Sequence, residues 1–231
     1  MTKTYTNKNI LITGAASGIG FSQMMSYLTN GARVIAIDEQ LIDVQHERLV
    51  TYQLDISHHD ELIDLLTTIT DKESIDILIN TAGILDNYQP SLETDFENWQ
   101  HVLDVNVTPM FITTNAVLPG MIARGGGHIV NMASIAGFSA GGGGAAYTTS
   151  KHAIIGYTKQ LAFDYAQKGI HINAIAPGAI NTPMNAADFA GDGTMAKQVA
   201  EQTPAKRWAI PQEVADPVSY THLRAHETEL H

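Results

Sequence analysis

With 231 residues, 44% of them hydrophobic, the chain is long enough for one sizeable α/β core. Thirteen Lys plus Arg against 24 Asp plus Glu give a formal net charge of -11, which repels phosphate backbones and anionic membranes, so neither nucleic acid nor a membrane is the expected partner. The absence of Cys removes disulfides, thiolate metal sites and Cys nucleophiles, and no run of 18 apolar residues or signal-like start is present, which makes the cytoplasm the expected location.

In chain order, Asn9-Ile10-Leu11-Ile12 reads as a short buried strand running into Thr13-Gly14-Ala15-Ala16-Ser17-Gly18-Ile19-Gly20. Phe21, Met24, Met25 and Leu28 then recur at helical spacing, and Asn30-Gly31 closes that helix. Val34 to Asp38 is the next strand. A strand near 49–54, a helix presenting Leu62, Leu65, Leu66 and Ile69 on one face, and a strand at Ile77-Leu78-Ile79 continue the alternation. Helical stretches near 95–123 and 145–168 bracket a strand over His128 to Met132, and Ile172 to Ile175 supplies a sixth. Strands alternating with crossover helices predict an α/β fold with an open, doubly wound parallel sheet of Rossmann type.

Gly14, Gly18 and Gly20 fall in the first strand-to-helix turn. Their missing Cβ atoms permit a tight turn and close approach of a pyrophosphate to helix N-terminal amides, although a glycine-rich turn also occurs without a ligand. Asp38, at the end of the second strand, stands where a carboxylate accepts hydrogen bonds from an adenosine ribose and repels a 2′-phosphate; its alternative is a cap on the next segment. No Arg or Lys lies between Thr13 and Gly31 to neutralise such a phosphate. NAD(H) is therefore the expected cofactor. Ser134 precedes Tyr147 by thirteen residues, and Lys151 follows Tyr147 by four. On a helix the last two share a face, so the ammonium favours the phenolate of its neighbour. Ser134 otherwise reads as a loop cap, and no histidine pattern indicates a catalytic metal.

The glycine turn, Asp38, Asn80-Thr81-Ala82-Gly83, Asn106, Ser134, Tyr147 with Lys151, and Pro177-Gly178 stand in an order and spacing that resembles the short-chain dehydrogenase/reductase family over roughly residues 7–218. Thr81 departs from the Asn or Ala usual in that stretch. The resemblance implies a hydride-transferring oxidoreductase that interconverts a secondary alcohol and a ketone. Tyr147 would be the general acid/base, Ser134 the group that binds the carbonyl oxygen, Lys151 the residue that holds the nicotinamide ribose and lowers the Tyr147 pKa, and Asn106 the fourth member, positioning a water. It further implies that Ser17 and Ile19 belong to the nucleotide turn, that Asp55 and Ile56 frame the adenine, that Asn80, Ala82, Gly83, Pro177 and Gly178 line the cofactor, and that Ile180 and Thr182 contact the carboxamide.

A small carbonyl or alcohol substrate and a homotetramer follow from the same likeness. Residues from about Pro183 to Arg207, with Met184, Phe189 and Met195, resemble a lid over an apolar pocket, and ordinary packing is the other reading of these side chains. Two functional alternatives stand beside the main one: a 3-oxoacyl-carrier-protein reductase, against whose usual NADPH preference Asp38 argues, and a nucleotide-binding module without turnover. Residues 1–218 read as one domain that is incomplete at its C-terminal end, lacking a seventh strand. Residues 219–231, with three His and no strand-like run, read as foreign to the fold.

Overall fold

In the computed structural model, which describes residues 5–215, six parallel strands form one sheet in the order β3-β2-β1-β4-β5-β6. They are β1 (Asn9–Thr13), β2 (Arg33–Asp38), β3 (Leu49–Gln53), β4 (Ile77–Asn80), β5 (Gly127–Met132) and β6 (Ile170–Ile175). The expectation of six strands in this alternation holds, with ends moved by one or two residues. Those on the missing seventh strand and the foreign tail lie outside the described residues.

Near-continuous apolar runs in β1, β2, β4 and β5 are what a parallel sheet covered on both faces requires. Alternate side chains serve opposite faces. Leu11, Ile35, Ile37, Leu78 and Ile129 pack with Leu62, Leu66 and Ile69 of α2 (His59–Lys72), Val117 and Leu118 of α4 (Thr108–Ala123) and Leu161 of α5 (Ala145–Tyr165). On the other face Ile10, Ile12, Val34, Ala36, Ile77 and Ile79 pack with Met24, Tyr27 and Leu28 of α1 (Gly18–Thr29).

The single helical stretch expected near 95–123 is two helices. After α3 (Phe96–Asn106) the chain breaks at Val107, φ -117° and ψ -55°, before α4 begins with Pro109 in its first turn. Proline at that position lacks the N–H a continuous helix would need, so it starts a helix readily and does not continue one. Chain order reverses between β1 and β4, opening a crevice at the strands' C-terminal ends.

The segment after β6 passes beside the first βα turn, with Thr182 next to Gly18. It holds a short 3-10 stretch (Pro183–Phe189) and α6 (Thr194–Gln202), and it returns to the fold where Ile180 bridges Ala209. Trp208 donates its indole N–H to the Ala196 carbonyl at 2.8 Å, and its ring lies 4.9 Å from that of Phe189. Met184, Phe189 and Met195 remain partly exposed, at 43%, 39% and 55%.

Candidate active site

The glycine turn is shaped by close approaches that only glycine allows. Gly14 has φ +74°, and a Cβ there would stand 2.6 Å from the Ala82 Cα. A Cβ on Gly20 would overlap the Gly14 carbonyl oxygen. Ser17 sits at the N-cap of α1 in extended conformation without a side-chain capping bond, and no acid stands in the first turn. The helix start thus keeps its amides and positive field for an anion. Asp38 is tied to this turn: one carboxylate oxygen accepts the Ala16 N–H at 2.8 Å and the other accepts the Gln40 N–H at 2.8 Å.

Other residues expected around the nucleotide divide into those at the crevice and those committed elsewhere. A Cβ on Gly18 would lie 3.4 Å from the Thr182 side chain, so the segment after β6 comes down beside the glycine turn. Ile19 and Ile180 share a small apolar cluster with Met132 and Val214. Pro177 accepts the Ile135 N–H through its carbonyl at 3.0 Å, and Gly178 is exposed beside Ile135. Ile56 lines a narrow cavity with Thr13, Asn80, Ala82, Asn106 and Met132.

Asp55 turns back on itself, accepting both the N–H and the hydroxyl of Ser57 at 2.9 and 2.7 Å; burial pushes its carboxyl up, and these bonds outweigh it and hold it low. Thr81 donates to Gln23 of α1 at 2.6 Å, a use for the hydroxyl that the family resemblance did not anticipate. Asn80 faces inward. Thr113 donates to its Oδ1 at 2.7 Å, its Nδ2 donates to Asn131 Oδ1 at 2.9 Å, Asn131 donates to Thr158 Oγ1 at 2.9 Å, and Thr158 donates to the Ile154 carbonyl at 2.7 Å.

Ser134, Tyr147 and Lys151 converge at the C-terminal end of β5. Ser134 caps a 3-10 turn, its Oγ accepting the Ala136 N–H at 3.1 Å, and its hydroxyl stands close enough to the Tyr147 phenol to lower its pKa. The cap reading of Ser134 thus holds, and the same side chain stands beside Tyr147. Tyr147 is 7% exposed and Lys151 4%. The Lys151 Nζ donates to the Met132 carbonyl at 2.9 Å and lies 5.4 Å from the Tyr147 ring centroid. Burial lowers the Lys151 pKa to about 8. Burial also pushes the Tyr147 phenol above its ordinary value; the Ser134 contact opposes this, and Tyr88 and Asp86 add to the rise. In the protein alone the phenol is thus raised and not lowered, because desolvation outweighs the Ser134 contact.

Asn106, 3% exposed, accepts the Ile84 N–H at 2.8 Å and donates to the Ile84 carbonyl at 3.0 Å and to Ser150 at 3.1 Å. A Cβ on Gly83 would fall 3.1 Å from Asn106 Oδ1 and 3.6 Å from Lys151 Nζ, so both side chains border Gly83. Both Nδ2 hydrogens of Asn106 are used by these partners, and its Oδ1 keeps room for one further donor. His152, next to Lys151, is exposed and bonds only the Thr148 carbonyl of its own helix.

The short chain dehydrogenase family model matches residues 8–193. The chain is 34% identical over 226 residues to 2-dehydro-3-deoxy-D-gluconate 5-dehydrogenase of Bacillus subtilis, covering 94% of this chain and 88% of the relative. It is 32% identical over 221 residues to the 3-oxoacyl-[acyl-carrier-protein] reductase of Synechocystis, covering 91% and 87%. A crystal structure of a putative NAD(P) dependent gluconate 5-dehydrogenase from Beutenbergia cavernae, with bound NADP, superposes with a TM-score of 0.89 at 30% identity, covering 95% of this chain and 91% of that one.

Proposed function

This chain belongs to the short chain dehydrogenase family of oxidoreductases, and from that membership we propose that it interconverts a secondary alcohol and a ketone with NAD(H), using Tyr147 as the general acid/base. The observation that carries the reading is the convergence of three buried groups, Ser134 acting on the Tyr147 phenol and Lys151 beside its ring, at the C-terminal end of β5. The glycine turn fits a dinucleotide: two positions where a Cβ would crowd the backbone, a third with φ +55°, an uncapped helix start, and an acid beside them.

The dinucleotide, when bound, supplies or accepts the hydride. In the direction of alcohol oxidation, the substrate hydroxyl proton passes to the Tyr147 phenolate oxygen; in reduction it returns from Tyr147 to the new alkoxide. Ser134 donates a hydrogen bond to the same substrate oxygen, where negative charge develops. Because burial raises the Tyr147 pKa, the phenolate form calls for a cation nearby. Lys151 provides one below its pKa of about 8.

NAD(H) is favoured by Asp38. Its carboxylate is held in place by Ala16 and Gln40, and two like charges 4 Å apart repel by about 1 kcal/mol in water and about 4 kcal/mol at an effective dielectric of 20. The 3-oxoacyl reductase reading is supported by the Synechocystis relative and is the second one to test. Initial rates with NADH and NADPH on a keto sugar acid, cyclohexanone and an acetoacetyl thioester distinguish these. The expected outcome is faster turnover with NADH and loss of at least about 100-fold in kcat for Tyr147→Phe. Preference for NADPH would remove the Asp38 reading, and undiminished turnover of Tyr147→Phe would remove the role of Tyr147.

A further inference from the structure

The group that holds the start of α5 is not on α5. Gly144 occupies the N-cap without a side chain, and no acid stands in the first turn. The first amides of a helix need acceptors from elsewhere. Asp86, in the loop after β4 and 0% exposed, provides them: one carboxylate oxygen accepts the Gly144 N–H at 2.8 Å and the other accepts the Tyr147 N–H at 2.8 Å. The Gln89 carbonyl accepts the Ala145 N–H at 3.1 Å. Tyr147 is the third residue of the helix, whose N–H is ordinarily taken by the N-cap side chain.

Both partners are shaped for this contact. A Cβ on Gly144 would stand 2.6 Å from the Asp86 carboxylate and 2.5 Å from the Gln89 carbonyl oxygen. On the loop side, Asp86 also accepts the Tyr88 N–H at 3.2 Å, and Asn87 and Tyr88 have φ of 55° and 58°. That conformation is costly for tyrosine and persists only where its surroundings impose it.

We propose that Asp86 is a positioning residue for the reaction, fixing through the main-chain amide of Tyr147 the depth and rotation at which the phenol meets Ser134 and the substrate oxygen. The proposal rests on Tyr147 being the proton-transfer group. A carboxylate suits a helix N-terminus. Its charge nevertheless works against the phenolate, since Asp86 adds to the upward shift of Tyr147. What it contributes to turnover is geometry. Asp86→Asn preserves shape but replaces one acceptor oxygen with an N–H donor, so one of the two α5 amides meets a donor.

The test measures kcat with the best ketone of the panel above, and the NADH dissociation constant by fluorescence titration, for wild type, Asp86→Asn, Tyr147→Phe and the double variant. Asp86→Asn is expected to lower kcat about 10- to 100-fold, as a displacement near 1 Å does, while NADH affinity stays within about twofold. Added to Tyr147→Phe, it should change the residual turnover by less than about twofold. Wild-type kcat, a parallel loss of NADH affinity, or an equal further loss in the Tyr147→Phe background would each overturn the proposal. Should Asp86→Asn not fold, Gly144→Ala, which pushes the loop off the helix with the charge intact, is read by the same kcat and affinity criteria. A fully active Tyr147→Phe removes both this proposal and the function it rests on; an inactive Tyr147→Phe beside a fully active Asp86→Asn removes the positioning role alone.

Discussion

Lys151 is a cation whose surroundings disfavour its charge. Its pKa of about 8 in the folded chain, against an ordinary 10.5, means that between those values the unfolded chain keeps a proton that the folded chain has released. Stability therefore rises with pH across the window from 8 to 10.5, and below pH 8 the full desolvation cost, on the order of 3 kcal/mol, is present. Lys151→Met should remove that slope: urea midpoints at pH 8 and pH 10 should differ less in the variant than in the wild type. A site that keeps a destabilising ammonium 4% exposed beside a buried phenol trades stability for a cation that titrates at about 8.

At the scale of elements, the first βα turn is the tightest constraint in the molecule. Gly20→Ala would drive a Cβ into the Gly14 carbonyl, backbone against backbone, and should cost about 3 kcal/mol or more and abolish NADH binding; a thermal melt and a fluorescence titration measure the two. This turn was legible in the sequence because its glycines, the apolar run before them and the helical spacing after them are all local. So were all six strands. Two features were not. The break at Val107 depends on Pro109 starting a new helix where the apolar pattern alone continues unbroken. The acceptor for the start of α5 comes from Asp86, 61 residues upstream of Tyr147, and no spacing rule links a loop acid to a distant helix. Gly144 was the available signal: a helix start with neither a capping side chain nor an acid needs an outside acceptor. The partners of the Asn80 side chain were not legible either: its amide is paired at both ends, to Thr113 and Asn131, because a buried amide must find partners for its donor and its acceptor.

For the whole molecule, one sheet with two covered faces implies one cooperative unit. Leu78 and Ile79 are neighbours on β4, each 0% exposed, and they serve opposite faces. Truncating either to Ala should cost about 2–5 kcal/mol and lower a single common transition, followed by calorimetry; two separable transitions would show that the faces melt independently. The face covered by α4 and α5 is also tied together by polar groups. From Thr113 through Asn80, Asn131 and Thr158 to the Ile154 carbonyl, every hydrogen bond runs donor to acceptor in the same sense. Such a chain is one-way. No amide in it can flip without its neighbours flipping too, so an altered side chain at one of the four positions leaves two donors or two acceptors facing each other. The four residues, spread from position 80 to position 158, should thus drift together as a single inherited character, and among related chains an exchange at one should travel with a compensating exchange at the next.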